Sequence, residues 1–259
     1  MTDRSPRALK VLNVAMFAAV MVANAAAGAG ALSGESIGTV ANRYPNYFLP
    51  ANWVFGIWSL IYLFLAVFTV YQAVTGAGPD RAVRALGPWW TASVLLNIGW
   101  VTAFAYSRFG LAMVIMLVLL ATLVRITERL HDARLPRSLT ETLCVRLPFD
   151  LYLSWISVAV IANTFQYAHV VGWGGFGLSE TTWSVAMMAV ATVLGWVMVL
   201  HRGVWAFPPT VAWAIYGIGA RFPEVPAIAL AAGLLVPAGI AGGVLAWLYR
   251  RRASRRAGA

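Results

Sequence analysis

The chain has 259 residues, of which 61% are apolar and only 11% are charged. Soluble domains carry roughly 25% charged residues; this composition excludes one and implies a chain built largely of the ~20-residue apolar stretches that span a bilayer. The net charge of +10 lies between those stretches, which makes anionic lipid headgroups, not nucleic acid, the expected partner of the basic loops.

Apolar runs predict an all-α integral membrane protein with eight transmembrane helices, at about 11–31, 51–74, 88–107, 109–127, 147–168, 181–200, 204–220 and 225–249. The first run exceeds the 7–15-residue core of a cleavable signal and reads as a helix that also directs insertion. It carries Asn13 and Asn24 on one stripe, three turns apart. A long, turn-rich loop follows, from Leu32 to Pro50. The second run brings Trp58, and the third brings Asn97 with Trp100 one turn on. The fourth is short and bracketed by Arg108 and Arg125, whose side chains can snorkel to the interface.

In the fifth run Trp155, Ala159 and Asn163 follow at i, i+4 and i+8 on one stripe. Asp150, the one acid inside a predicted helix, is expected to complement the helix dipole and to pair with Arg146. The loop from His169 to Glu180 contains Trp173, Phe176 and four glycines. Loops of this kind either cover a pocket on the outer face or simply connect. Pro208, Pro209, Pro226 and Pro237 interrupt the seventh and eighth runs, and Gly239 and Gly243 form a small-residue pair suited to close helix contact.

The cations test this layout. Arg4, Arg7, Lys10, Arg81, Arg84, Arg125, Arg129, Arg134, Arg137, Arg146, Arg202 and the tail arginines 250, 251, 252, 255 and 256 fall on one side. Only Arg43, Arg108 and Arg221 fall on the other. The positive-inside rule then puts both termini in the cytoplasm.

Motifs of soluble enzymes are absent: there is no phosphate loop, dinucleotide fingerprint or zinc-like cluster. The single cysteine, Cys144, allows no internal disulfide. The three histidines are far apart in sequence. No catalytic residue, metal site or covalent cofactor is assigned. No carboxylate pair lies within the membrane, which argues against proton-coupled transport. What the apolar runs do contain is amides and indoles. An amide in hydrocarbon must find partners; it either bonds between helices or orients an apolar ligand in a pocket. Of the twelve tryptophans, Trp53, Trp89, Trp90, Trp173 and Trp205 suit the interfacial belt. Trp58, Trp100, Trp155, Trp196 and Trp213 lie deeper, where a flat ring suits stacking on a planar ligand or helix packing.

Three segments resemble the tryptophan-rich sensory protein (TspO/MBR, translocator protein) family. Pro50-Ala-Asn-Trp-Val-Phe-Gly-Ile-Trp-Ser-Leu-Ile-Tyr62 is similar to the family's entry into its second helix. Leu96-Asn-Ile-Gly-Trp-Val-Thr-Ala-Phe104 resembles its third-helix pattern, and Tyr152-Leu-Ser-Trp-Ile-Ser-Val-Ala-Val-Ile-Ala-Asn163 its fifth. Order, helix number and spacing agree over about residues 10–168. There are departures. One residue separates Gly56 from Trp58 where the family has two, which would turn Trp58 by about 100°. Ala105 replaces the second of a Phe pair, and Leu151 stands for a proline. No cation follows Tyr167, so cholesterol binding is not implied.

The cation layout gives a cytoplasmic N-terminus (1–10) and a basic cytoplasmic tail (250–259); the resemblance implies a five-helix bundle (11–168), from which the three-helix transmembrane extension (169–249) is a further departure. It implies a pocket for porphyrins or other planar hydrophobic ligands, lined by Trp58, Asn97, Trp100, Trp155 and Ala159, with Asn163 on the same stripe. A porphyrin- or haem-type ligand and a homodimer are thereby implied. The expected function is membrane-embedded binding or sensing of such a ligand, with no turnover reaction assigned. Alternatives are a carrier of tetrapyrroles or other lipophilic molecules and a light-dependent porphyrin-degrading enzyme. Ala and Arg richness with a single Lys suggests a bacterial source, and so the inner (cytoplasmic) membrane.

Overall fold

A computed structural model describes residues 6–133 and 138–256. Arg4, Arg134 and Arg137 of the basic set lie outside the described residues, as do the side chains of Arg255 and Arg256 and the last three residues of the tail. Every regular element among the described residues is helical. The order is α1 (Pro6–Gly28), α2 (Ile37–Asn42), a 3-10 segment (Asn52–Gly56) leading into α3 (Ile57–Ala73), α4 (Ala77–Leu86), α5 (Trp89–Ala105) and α6 (Phe109–Asp132). The single turn α7 (Leu139–Glu141) and a π segment (Thr142–Arg146) lead into α8 (Leu147–Val170). After a short 3-10 turn (Gly175–Gly177) come α9 (Glu180–Val197) with a π segment (Met198–Arg202), α10 (Phe207–Arg221) and α11 (Pro226–Arg256).

Each of the eight predicted runs becomes a helix. Six are long and apolar enough to cross a membrane. The other two, α5 and α10, have 17 and 15 residues, about 25 and 22 Å at 1.5 Å per residue. Helices dominate because a chain in hydrocarbon must satisfy its backbone within each segment. Large apolar side chains such as Leu63, Val70, Leu234 and Leu245 are exposed along them, as lipid-facing positions require.

The chain forms two compact units, Met1–Tyr44 with Ile57–Ile156, and Pro45–Gly56 with Ser157–Ala259. The boundary within α8 is a different cut from the one expected after residue 168. In the first unit α5 packs on α6 and α1. Its cations gather at one end: Lys10 Nζ lies 2.8 Å from Asp80 and donates to the Val74 carbonyl, and Arg129 donates to the carbonyl of Ala85. The Lys10 ammonium holds the Asp80 carboxyl below its ordinary range. At the other end Arg43 pairs with Glu35 and donates to Ser107 Oγ.

Residues 75–87 lie between the second and third apolar runs, and α4 fills most of this segment. Pro79, Ala82, Val83 and Leu86 are buried at i, i+3, i+4 and i+7, an amphipathic face. Gly87, at φ 53°, ends it. Asp150 is also placed differently. It is buried, and its carboxylate oxygens face His131 Nε2 of α6 at 3.1 and 3.3 Å. The expected partner was Arg146, one turn away.

In the second unit α10 packs on α11 and α9. Segment 45–56 is strapped to these helices by hydrogen bonds: Ala51 N–H donates to the Gly217 carbonyl, Trp213 Nε1 to that of Val54, and Arg221 to that of Pro50. Glycines make the close contacts. A Cβ on Gly243 would stand 2.7 Å from Pro208, and one on Gly242 would stand 2.4 Å from the Trp196 indole. Gly239 accepts from Trp196 Nε1 at 3.2 Å. The tightest notch is Gly217, where a Cβ would lie 2.0 Å from Val54 Cγ2.

Val54 is fully buried and β-branched, so it cannot swing aside. Gly217→Ala should therefore destabilise the protein by about 1–3 kcal/mol in a thermal unfolding scan in detergent. Adding Val54→Ala, which empties the notch, should recover much of that loss.

Candidate functional site

Trp58 of α3, Trp100 of α5 and Trp155 of α8 converge in the first unit. The Trp58 ring stacks on Trp100 at 6.1 Å and 25°, and on Tyr62 at 5.5 Å and 22°. It meets Trp155 edge-on at 6.4 Å and 84°, and Tyr152 at 5.9 Å and 67°. Trp100, Trp155 and Tyr152 are buried, whereas Trp58 and Tyr62 are half-buried. Such offset and edge-to-face geometries are those that aromatic quadrupoles favour. The missing residue between Gly56 and Trp58 therefore does not turn Trp58 away. The five residues before α3 form a 3-10 helix, whose ~120° per residue differs from the ~100° of an α-helix.

A chain of polar side chains fixes the same three-dimensional register. Asn97 is completely buried. Its Nδ2 donates to Tyr152 Oη at 2.8 Å, and its Oδ1 accepts from Asn24 Nδ2 at 2.8 Å. Asn24 also donates to the carbonyl of Val20 on its own helix. Asn97 thus joins α1, α5 and α8, the interhelical alternative left open by the sequence. Trp100 lies one turn beyond Asn97, and Trp155 one turn beyond Tyr152. The second amide of α1, Asn13, donates to Gln72 Oε1 at 2.7 Å.

The two remaining expected site residues, Ala159 and Asn163, lie one and two turns beyond Trp155 on the same helix, α8. Ala159 and Asn163 belong to the second unit. Both are nearly buried, and Asn163 Nδ2 donates to the Ala159 carbonyl at 3.0 Å. The deep tryptophans also divide. Trp196 sits in the Gly242 notch, and Trp213 is 40% exposed with its ring against Trp53 at 4.9 Å. Trp90, expected in the interfacial belt, is buried and packs on Phe68 and Phe149 at 6.0 and 5.5 Å. Sequence reasoning missed Tyr62 and Tyr152 as members of the cluster. Both lie inside the quoted motifs, four and three residues from Trp58 and Trp155, so helical spacing could have found them.

The Asn97 bonds yield a stability prediction. Hydrogen bonds between transmembrane helices are worth on average ~0.6 kcal/mol and at most ~1.7. Asn97→Ala removes two and should lower stability by roughly 1–2 kcal/mol. Tyr152→Phe removes one and should cost about half as much, as read by unfolding in a mixed-detergent titration.

A family model for TSPO-like protein matches residues 10–245. No curated protein and no solved structure matches the chain. The family match agrees with the resemblance carried by the three motifs, and it runs past residue 168 through α9 and α10 and into α11. With six helices long and apolar enough to cross a membrane, and a family match over most of its length, the chain is an integral membrane protein belonging to the TSPO-like protein family.

Proposed function

We propose that the protein binds a planar hydrophobic ligand of the tetrapyrrole class within the membrane and acts as a sensor or binding protein for it. The observation that carries this reading is the convergence of Trp58, Trp100 and Trp155 with Tyr62 and Tyr152. Two of its flat rings, Trp58 and Tyr62, remain partly open. Indole faces give a polarisable stacking surface without charge, which suits an extended aromatic ligand that brings no counter-ion with it. Asn97 acts in this reading as a positioning residue. Both of its polar atoms hold neighbouring helices, so it orients Trp100 and Trp155 and not the ligand itself.

Titration of the detergent-solubilised protein with protoporphyrin IX, followed by tryptophan fluorescence, tests the reading. Saturable quenching is expected in the wild type. Trp58→Phe should weaken it about five- to tenfold, the loss of one stacking contact of ~1–1.5 kcal/mol. Equal or non-saturable quenching in both would mean partitioning into the detergent and would overturn it.

We also read the chain as crossing the bacterial inner membrane eight times, with α5 and α10 as short spans. Local thinning of the bilayer or snorkelling of flanking side chains can accommodate their length. In each unit the cations support this. Arg202 and Arg250 lie close together, Arg250 donating to the carbonyl of Leu200, while Arg221 is bound at the strap. A C-terminal green fluorescent protein fusion should then fluoresce and an alkaline phosphatase fusion should stay inactive. The opposite pair of results would overturn the cytoplasmic placement of the C-terminus.

A further inference from the structure

A cavity of about 410 Å³ opens in the second unit. It is distinct in its residues from the three-tryptophan cluster, and its volume falls within the range of small-molecule sites. Its walls are the last turns of α8, the start of α9 and the glycine-rich loop between them. Phe165, Trp173, Trp183 and Leu178 supply the apolar lining. The ionisable side chains of the lining are Glu180 and His169, and no lysine or arginine lines it among the described residues.

The cavity is built, not incidental. Trp183 Nε1 donates to the Gly175 carbonyl at 2.9 Å, pinning the loop to α9. The Trp173 ring packs on Trp183 at 5.4 Å, and Phe165 is backed by Phe48, stacked at 5.2 Å and 19°. The Glu180 carboxylate is fixed through one oxygen, which accepts the Tyr47 backbone N–H at 2.7 Å. Ser184 Oγ donates to the Tyr47 carbonyl at 2.7 Å, so α9 holds residue 47 through both its N–H and its carbonyl. The free N–H groups of the first turn of α9 are met in part by Ser179 Oγ, which accepts from Thr182. Glu180 supplies a full negative charge there.

We propose that this cavity is a second ligand site, and that it takes a lipophilic organic cation: an ammonium or phosphonium centre carried on an apolar body. The pairing of a carboxylate with several indole and phenyl faces is what recognises such a charge. The rings attract the cation through their quadrupoles, and the carboxylate supplies the counter-charge. A planar neutral ligand would make no use of the Glu180 charge, and an anion would be repelled by it.

The test is equilibrium binding of radiolabelled tetraphenylphosphonium to the full-length protein in detergent, with radiolabelled tetraphenylborate, of equal shape and opposite charge, measured in a separate titration. Wild type should bind the phosphonium saturably. Glu180→Gln keeps an oxygen to accept the Tyr47 N–H, so the strap stays in place while the charge is lost; it should weaken binding roughly five- to tenfold. Trp173→Ala should weaken it similarly, and Trp58→Phe should leave it unchanged. The proposal is overturned by non-saturable binding, by unchanged affinity in Glu180→Gln, by equally tight saturable binding of tetraphenylborate, or by loss of binding in Trp58→Phe.

Discussion

A buried amide in an apolar bundle has no water to turn to, and the satisfaction of Asn97 organises the first unit. One carboxamide donates to Tyr152 on α8 and accepts from Asn24 on α1. Apolar packing alone gives little preference among rotations of one lipid-soluble helix against another, because lipid tails are as apolar as leucine. Directional bonds supply that preference. Once α1, α5 and α8 are locked in rotation, Trp100 and Trp155, each one turn further along, must face the same space. Trp58 of α3 completes the cluster by stacking.

The second unit solves the same problem with backbone and shape. Segment 45–56 carries no apolar periodicity of its own, yet its carbonyl and N–H groups are taken up by Gly217, Trp213, Arg221, Glu180 and Ser184. The absence of side chains at Gly217, Gly242 and Gly243 lets Val54, Trp196 and Pro208 approach the helix backbones. These are steric fits, in which dispersion across short distances replaces the hydrophobic effect that lipid removes.

The aromatic cluster proposed as a ligand site is an uncharged surface. Neither the aromatic cluster nor its amide relay contains a lysine, an arginine or a carboxylate. In the proposed reading such a surface recognises a flat apolar ligand by stacking. Glu180 stands apart, since it pairs charge with indole rings at the edge of a helix. The two proposed sites thus differ in the kind of ligand each selects.

Much of this was legible in the sequence. The apolar runs gave the eight helices, because lipid permits few alternatives to a helix for a long apolar chain. The spacing of three motifs gave the family and four of the residues of the cluster region. That Trp155, Ala159 and Asn163 share one stripe followed from the helical repeat alone; that the stripe is buried did not. Other features needed partners distant in the chain. That Asp150 faces His131 and not Arg146, that Trp90 is buried and Trp213 is not, and that α8 is divided between two compact units depend on which helix lies alongside. The 3-10 entry to α3, which keeps Trp58 in the cluster, shows the same limit. Sequence periodicity fixes how residues are distributed around one helix, because it is set by local backbone geometry. It cannot fix the rotation of that helix against its neighbours, which is decided by hydrogen bonds and steric notches formed only when the helices meet.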